Sequence, residues 1–123
     1  MSKTILIADD DSTVTQLFSL NAESNDADLV IRSSETGEDT IAALSTHKPD
    51  ILILDIRMPK GDGFVVLEHI KKHKLDIPVI ILTNYRNETY VEKSKTFSNV
   101  KEYIVKHEVR MERVFSAVHS RLA

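Results

Sequence analysis

The chain has no cysteine. Disulfides and thiolate-bound metals are therefore excluded, and the redox compartment goes unread. Nor does it carry a surplus of positive charge. Sixteen lysine and arginine residues face 19 aspartate and glutamate residues, for a net charge of −3 and a pI near 5.9. A main partner that is nucleic acid or an anionic membrane surface calls for the opposite balance, so no direct nucleic-acid partner is expected. No apolar run approaches the ~20 residues that a membrane-spanning helix needs. The N-terminal "MSKT" leads into a strand-like run without an apolar secretion segment. The expectation is a cytoplasmic protein with no membrane insertion. Linkers, internal repeats and low-complexity stretches are also missing. With 123 residues, 41% hydrophobic and 28% charged, the chain is expected to form one globular domain over residues 1–123.

What is present alternates. Short runs rich in isoleucine and valine occupy residues 5–8, 29–31, 51–54, 79–82 and 103–105, as buried parallel strands do. Between them lie helical spacings: Val14, Leu17 and Phe18, then Ile41 and Leu44, then Phe64, Leu67 and Ile70. The clearest stripe is the last, Met111, Val114, Phe115, Val118 and Leu122. The weakest predicted helix covers residues 87–97, anchored only by Tyr90, Val91 and Phe97, with Asn99 placed to end it in a left-handed cap. The sum is α/β, a doubly wound (βα)5 unit with a five-stranded parallel sheet in the order 2-1-3-4-5, flavodoxin-like, and helices on both faces.

In such a fold, ligands bind beyond the carboxyl ends of the strands where the strand order reverses. The polar residues that follow the apolar runs are Asp9, Asp10 and Asp11, then Asp55, Thr83 and Lys106. Strand two ends in Ser33 and Ser34, with nothing distinctive. First and third strands would be neighbours at roughly 4.8 Å, bringing the aspartates of the first to Asp55 in one pocket. Carboxylates that converge need protons or a cation to neutralise them. Oxygen-only ligands at a strand end favour Mg2+. A carboxylate can also act as a nucleophile and form an acyl phosphate. Phosphoryl transfer then needs charge stabilisation, which a metal, a lysine and a hydroxyl supply. The inventory alone therefore points to phosphorylation of an aspartate.

"ILIADD", "LDIRMPKGDGF", "IILTN" and "YIVK" resemble, in order and spacing, the landmarks of the receiver domain of two-component response regulators. The D-x-x-M-P-x-x-D-G block at residues 55–63 is the most discriminating. The resemblance covers nearly the whole chain and looks most like a stand-alone, chemotaxis-type single-domain regulator. It implies that Asp55 is the phosphoacceptor and that Asp9 and Asp10 are the acidic pair for Mg2+, with Asp55 and the backbone carbonyl of Arg57 completing the metal ligands. It implies that Thr83 is the switch hydroxyl, that Lys106 pairs with the acceptor or its phosphoryl oxygen, and that Tyr103 is the aromatic that changes rotamer. Pro59 and Gly63 would shape the loop and start the third helix, with Gly63 permitting unusual dihedrals. The implied partners are a sensor histidine kinase or a histidine phosphotransfer protein as donor, and a downstream protein target. That target would read a surface of helix four, strand five and helix five. No output domain fits in 123 residues, so output is expected through that partner unless the chain is a piece of a longer regulator. The implied domain catalyses its own phosphorylation and is not a turnover enzyme on an external substrate.

Several positions depart from the family pattern. His107 stands where a proline usually follows the lysine in a cis peptide, so a trans bond is expected here. Asn84 stands where a small residue usually follows the threonine and is expected to narrow the pocket. Asn99-Val100 replaces the common Gly-Ala, which implies an unusual signalling surface. Arg57 and Tyr85 hold the positions that tune dephosphorylation in the family; both are long, and slow self-hydrolysis is expected.

Two rivals remain open in the sequence. Asp9 to Thr13 also spells D-x-D-x-T, the nucleophile motif of haloacid-dehalogenase-type phosphatases, with Asp9 as nucleophile and Asp11 as acid. That reading leaves Asp55 and its M-P block unexplained. The other rival is a degenerate receiver that acts only as an interaction module. Plainer roles are expected elsewhere. Asp11 and Ser12 cap the first helix, Asp62 makes turn chemistry, and His69 and His73, spaced i, i+4, belong to a solvated basic face.

Overall fold

The structure is a computed structural model that describes residues 2–25 and 28–122. Five strands, β1 (Lys3–Ala8), β2 (Leu29–Ser34), β3 (Ile51–Leu54), β4 (Val79–Thr83) and β5 (Val100–Val105), alternate with helices α1 (Thr13–Asn25), α2 (Gly37–His47), α3 (Gly63–Lys72), α4 (Glu88–Ser94) and α5 (Met111–Leu122). All pairings are parallel, and the order is β2-β1-β3-β4-β5. The expected doubly wound α/β fold is therefore present. No helix among the described residues is long and apolar enough to cross a membrane.

The isoleucine-rich runs are explained by burial on both faces. Ile5, Leu6, Ile7, Ile51, Leu52, Ile80 and Ile81 are fully buried. Pleating sends alternate residues to opposite sides. Leu6, Leu52, Leu54 and Ile81 pack with Leu44 of α2 and with Val66, Leu67 and Ile70 of α3. Ile5, Ile7, Ile53, Ile80 and Leu82 pack with Val14 and Phe18 of α1 and with Val114 and Val118 of α5. Each such side chain contributes about 1.5–3 kcal/mol by leaving water, and the three central strands supply most of them.

Two sequence expectations need correction. Leu17 does not share the buried face of α1; it is 37% exposed, and Val14, Phe18 and Ala22 line the core at i, i+4, i+8. Asn99 does not end a helix in the left-handed region. Helix α4 stops at Ser94 with Lys95 at φ −65°, and the positive φ values of non-glycine residues fall on Lys48, Lys60 and Lys74. The Asn99 amide instead donates to the carbonyls of Leu75 (2.9 Å) and Ile77 (2.8 Å), pinning the approach to β4.

Candidate functional site

Strand register positions the site. Ala8 pairs with Leu54 across β1 and β3, so Asp9 and Asp55 leave the sheet side by side. The Asp55 N–H donates to the Ala8 carbonyl at 2.9 Å, holding that level. Across β4 and β5, Thr83 pairs with Val105, and Lys106 follows. Asp9, Asp55 and Thr83 are all buried, at 4%, 6% and 0% exposure, whereas Asp10 is exposed. Among the described residues, Asp9, Asp10 and Asp55 form an acidic cluster in which one carboxylate oxygen from each lies within 4.8 Å of the others.

Lys106 reaches into this cluster from the far side of the sheet. Its Nζ donates to Asp9 Oδ2 at 2.6 Å and to Asp55 Oδ2 at 3.4 Å. The peptide to His107 is trans, as expected, and a 3-10 turn at Lys106–Glu108 carries the chain away. The other oxygens find backbone donors: Asp9 Oδ1 accepts from the Asp11 N–H at 2.9 Å, and Asp55 Oδ1 from the Arg57 N–H at 3.4 Å. Burial lifts the Asp9 carboxyl above its ordinary pKa, and the bonds from Lys106 and Asp11 offset this only in part. Burial works against the charge on Lys106, but Asp9 and Asp55 outweigh it and hold its pKa above the ordinary lysine value. One ammonium thus serves two of the three carboxylates.

This donor set is oxygen-only, contains three carboxylates and keeps one of them open to solvent. It fits a hard divalent cation that retains waters, as Mg2+ does. It lacks the imidazole and thiolate donors that softer metals select.

Asp11 does not join the cluster. It is exposed, and its Oδ1 accepts from the Thr13 N–H at 3.0 Å and the Thr13 hydroxyl at 2.7 Å. Those two bonds hold its carboxyl below the ordinary value. It serves the start of α1, apart from the cluster of Asp9, Asp10 and Asp55, which disfavours the D-x-D-x-T reading. The Ser12 hydroxyl accepts from the Gln16 side chain at 3.1 Å instead of capping a backbone amide. Asp62 is the N-cap of α3, accepting from the Val65 N–H at 3.1 Å. Gly63 does not supply an unusual dihedral; positive φ falls on Lys60 and Gly61. Its need is space, because a Cβ there would stand 2.6 Å from the Asp55 carbonyl oxygen. His69, half-buried, and His73, exposed, pair at 4.2 Å at the C-terminal end of α3, beside the exposed Lys71, Lys72 and Lys74.

The sequence singles out Arg57, Tyr85 and Tyr103, but not how they meet beside Asp55. The Arg57 guanidinium lies 4.6 Å from the ring centroid of Tyr85 and 6.0 Å from that of Tyr90. Tyr90 in turn packs edge-on to Phe64 of α3 at 5.6 Å. The Tyr103 hydroxyl donates to the Tyr85 carbonyl at 2.7 Å, and the Tyr85 N–H donates to Thr83 Oγ1 at 3.4 Å. Burial raises the Tyr103 pKa, with smaller contributions from Tyr90 and Asp55. Tyr90, read from the sequence as a packing anchor, is the link from Arg57 to α4. Asn84 is exposed.

Comparison with known proteins agrees with this geometry. The family model described as the response regulator receiver domain matches residues 5–119. The alkaline phosphatase synthesis transcriptional regulatory protein PhoP of Bacillus subtilis (strain 168) is 35% identical over 83 residues, which is 68% of this chain and 34% of PhoP. The chain thus spans about a third of that relative's length. A LuxR-family DNA-binding response regulator from Staphylococcus aureus superposes with a TM-score of 0.84 at 29% identity, covering 97% of this chain and 98% of that one. The CheX–CheY–BeF3–Mg2+ complex from Borrelia burgdorferi gives 0.82 at 25% identity, covering 98% and 90%.

Proposed function

The chain belongs to the response regulator receiver family, and on that premise we propose that Asp55 accepts a phosphoryl group from the phosphohistidine of a sensor kinase or a histidine phosphotransfer protein. The observation that carries this reading is the convergence of Asp9, Asp10 and Asp55 on one edge of the sheet with Lys106 bonded into the cluster. In this reading residues 1–123 act as one receiver unit, working in the cytoplasm.

An Asp55 oxygen attacks the phosphorus, a P–O bond forms, the P–N bond to the donor histidine breaks, and the imidazole leaves with its electron pair. Asp9, Asp10, Asp55 and the Arg57 backbone carbonyl would hold Mg2+, which when bound supplies positive charge against the oxygens of the group in flight. Lys106 supplies a second positive charge beside Asp9 and Asp55. Register and burial fix the acceptor before the donor arrives, so positioning and preorganised charge do most of the work.

Afterwards the ionised carboxylate has become an acyl phosphate, so the site carries roughly 0.5–1 more negative charge, spread over three phosphoryl oxygens. Lys106 and the Thr83 hydroxyl are drawn toward them. Thr83 is tied to the Tyr85 amide, and Tyr85 to Tyr103, so the pull reaches the surface of α4, β5 and α5. A two-state surface there would be biased toward a downstream protein target.

The test is intact mass after incubation with Mg2+ and acetyl phosphate. The wild-type chain is expected to gain one phosphoryl group and Asp55→Asn none. Labelling that survives Asp55→Asn but disappears in Asp9→Asn would return the phosphatase reading. No labelling of the wild type at all would leave an interaction module.

A further inference from the structure

The loop between β3 and α3 does more than carry the acceptor. Lys60 and Gly61 are consecutive residues with positive φ, 52° and 102°. The loop sets two of its carbonyls against the start of α2. The Gly37 N–H donates to the Pro59 carbonyl at 3.2 Å, and the Glu38 N–H to the Lys60 carbonyl at 3.0 Å. Helix N-termini leave such amides without partners inside the helix. Thr36 caps the next one through its hydroxyl, to the Asp39 N–H at 3.0 Å, so the first two fall to the acceptor loop.

The contact is one of backbone on backbone. A Cβ on Gly37 would overlap the carbonyl oxygen of Gly61 and stand 2.5 Å from its carbonyl carbon. Any other residue at 37 must therefore push the loop, the helix, or both.

The same turn of α2 also holds the other carboxylate segment. The Asp9 N–H donates to the Ser34 carbonyl at 3.0 Å. The Thr40 hydroxyl donates to the Thr36 carbonyl at 2.7 Å, so its oxygen accepts from the Ser34 hydroxyl, also at 2.7 Å. Ser34 and Thr40 are buried, at 7% and 0% exposure. One helical turn is thus bonded to Ser34, the end of β2 that holds the Asp9 amide, and to the loop that follows Asp55 and Arg57.

We propose that Gly37 is a positioning residue for the Mg2+ and phosphoryl site. Its missing side chain lets the first turn of α2 clamp the acceptor loop, which fixes the spacing between the Asp9 and Asp55 segments. The proposal rests on the receiver reading above.

Mg2+ alone is the probe, titrated by calorimetry into the full chain. Gly37→Ala is expected to weaken Mg2+ binding about tenfold or more, the scale on which outer-sphere supports act on metal affinity. Leu44→Ala loosens the same helix from the core without touching the seam. It is expected to lower the Tm and change Mg2+ affinity less than about twofold, since no support of the ligands is lost. Lys60→Gly keeps the carbonyl and suits its φ, so it should bind as wild type does. A Gly37→Ala chain that binds Mg2+ normally, or a Leu44→Ala chain that binds as poorly, overturns the proposal.

If Gly37→Ala fails to fold, amide exchange in the wild type decides. The Gly37 and Glu38 amides should exchange more slowly when Mg2+ saturates the site, while Ala43 in the middle of α2 does not change. Equal exchange with and without Mg2+ at all three also overturns it. A wild-type chain that does not bind Mg2+ ends the phosphoacceptor reading and this proposal together. Normal wild-type binding with an indifferent Gly37→Ala ends this one alone.

Discussion

Lys106 is bonded to Asp9, at 2.6 Å, more closely than to Asp55, at 3.4 Å. The lysine therefore holds Asp9 and touches Asp55 only at the edge of bonding distance. Replacing it with methionine keeps the stem and removes the charge. Asp9, 3% exposed in its side chain, is then left buried with Asp55 beside it and no cation. Breaking a pair of this kind costs on the order of 3 kcal/mol. We expect a lower Tm for Lys106→Met in EDTA and recovery of much of the loss with Mg2+. Mg2+ affinity should rise, because the lysine no longer competes for Asp9. Weaker Mg2+ binding in Lys106→Met would show that the lysine builds the site and does not oppose the cation.

A pH dependence follows from Asp9 itself. Burial raises its carboxyl above the ordinary 3.8. The metal-free folded state therefore holds that proton more tightly than the unfolded chain. By linkage, this group's contribution to stability falls as pH rises from 3.8 through the raised folded value. Above that value the cost is fully present. Asp9→Asn removes it, so the Tm of the variant relative to wild type, in EDTA, should increase from mild acid to neutrality. With Mg2+ the order should reverse, since a ligand carboxylate must be deprotonated. Thermal melts at several pH values, with and without Mg2+, check both signs. A relative Tm that falls with pH in EDTA contradicts the first.

The parts of this site that could be read from the chain are those set by strand register. Asp9, Asp55, Thr83 and Lys106 each follow an apolar run, and a parallel sheet brings such positions to one edge. The parts that could not be read depend on contacts between distant loops. Ser34 looked unremarkable, yet its carbonyl and hydroxyl connect Asp9 to α2. Asn99 looked like a helix cap because it follows the predicted helix of residues 87–97 and asparagine tolerates the left-handed region, but it bonds to carbonyls 22 and 24 residues away. Leu17 fits the helical period as well as Phe18 does, yet it is 37% exposed where Phe18 is buried. Gly37 carries no local signal beyond standing at a helix start, one residue after the capping Thr36 and two before Asp39.

Tyr103 is already tied to the loop between β4 and α4 by its bond to the Tyr85 carbonyl. Tyr103→Phe removes that bond and keeps the ring packed. A typical net loss is about 0.5–1.5 kcal/mol, and the low end is expected for a partly exposed group. The larger effect should be local. Amides of residues 84–87 should exchange faster in Tyr103→Phe, while the rate at which acetyl phosphate labels Asp55 stays as in wild type. Unchanged exchange would mean that the hydroxyl does not restrain the loop.

Arg57 and Tyr85 stand two residues after Asp55 and two after Thr83, and they meet as cation and ring at 4.6 Å. A contact at this exposure is worth about 0.5–1 kcal/mol. If the pair covers the acyl phosphate and slows attack by water, losing it lowers that barrier by a similar amount. Loss of the phosphoryl group should then speed up about two- to fivefold in Arg57→Ala and in Tyr85→Ala. Because the two act as one contact, the double variant should be little faster than either single one. Arg57→Lys keeps the charge but not the flat guanidinium, so its rate should lie between wild type and Arg57→Ala. The lifetime is read by intact mass after the small phosphodonor is removed. Full additivity in the double variant would show two independent side chains, and unchanged lifetimes in both single variants would show that neither shields the acyl phosphate.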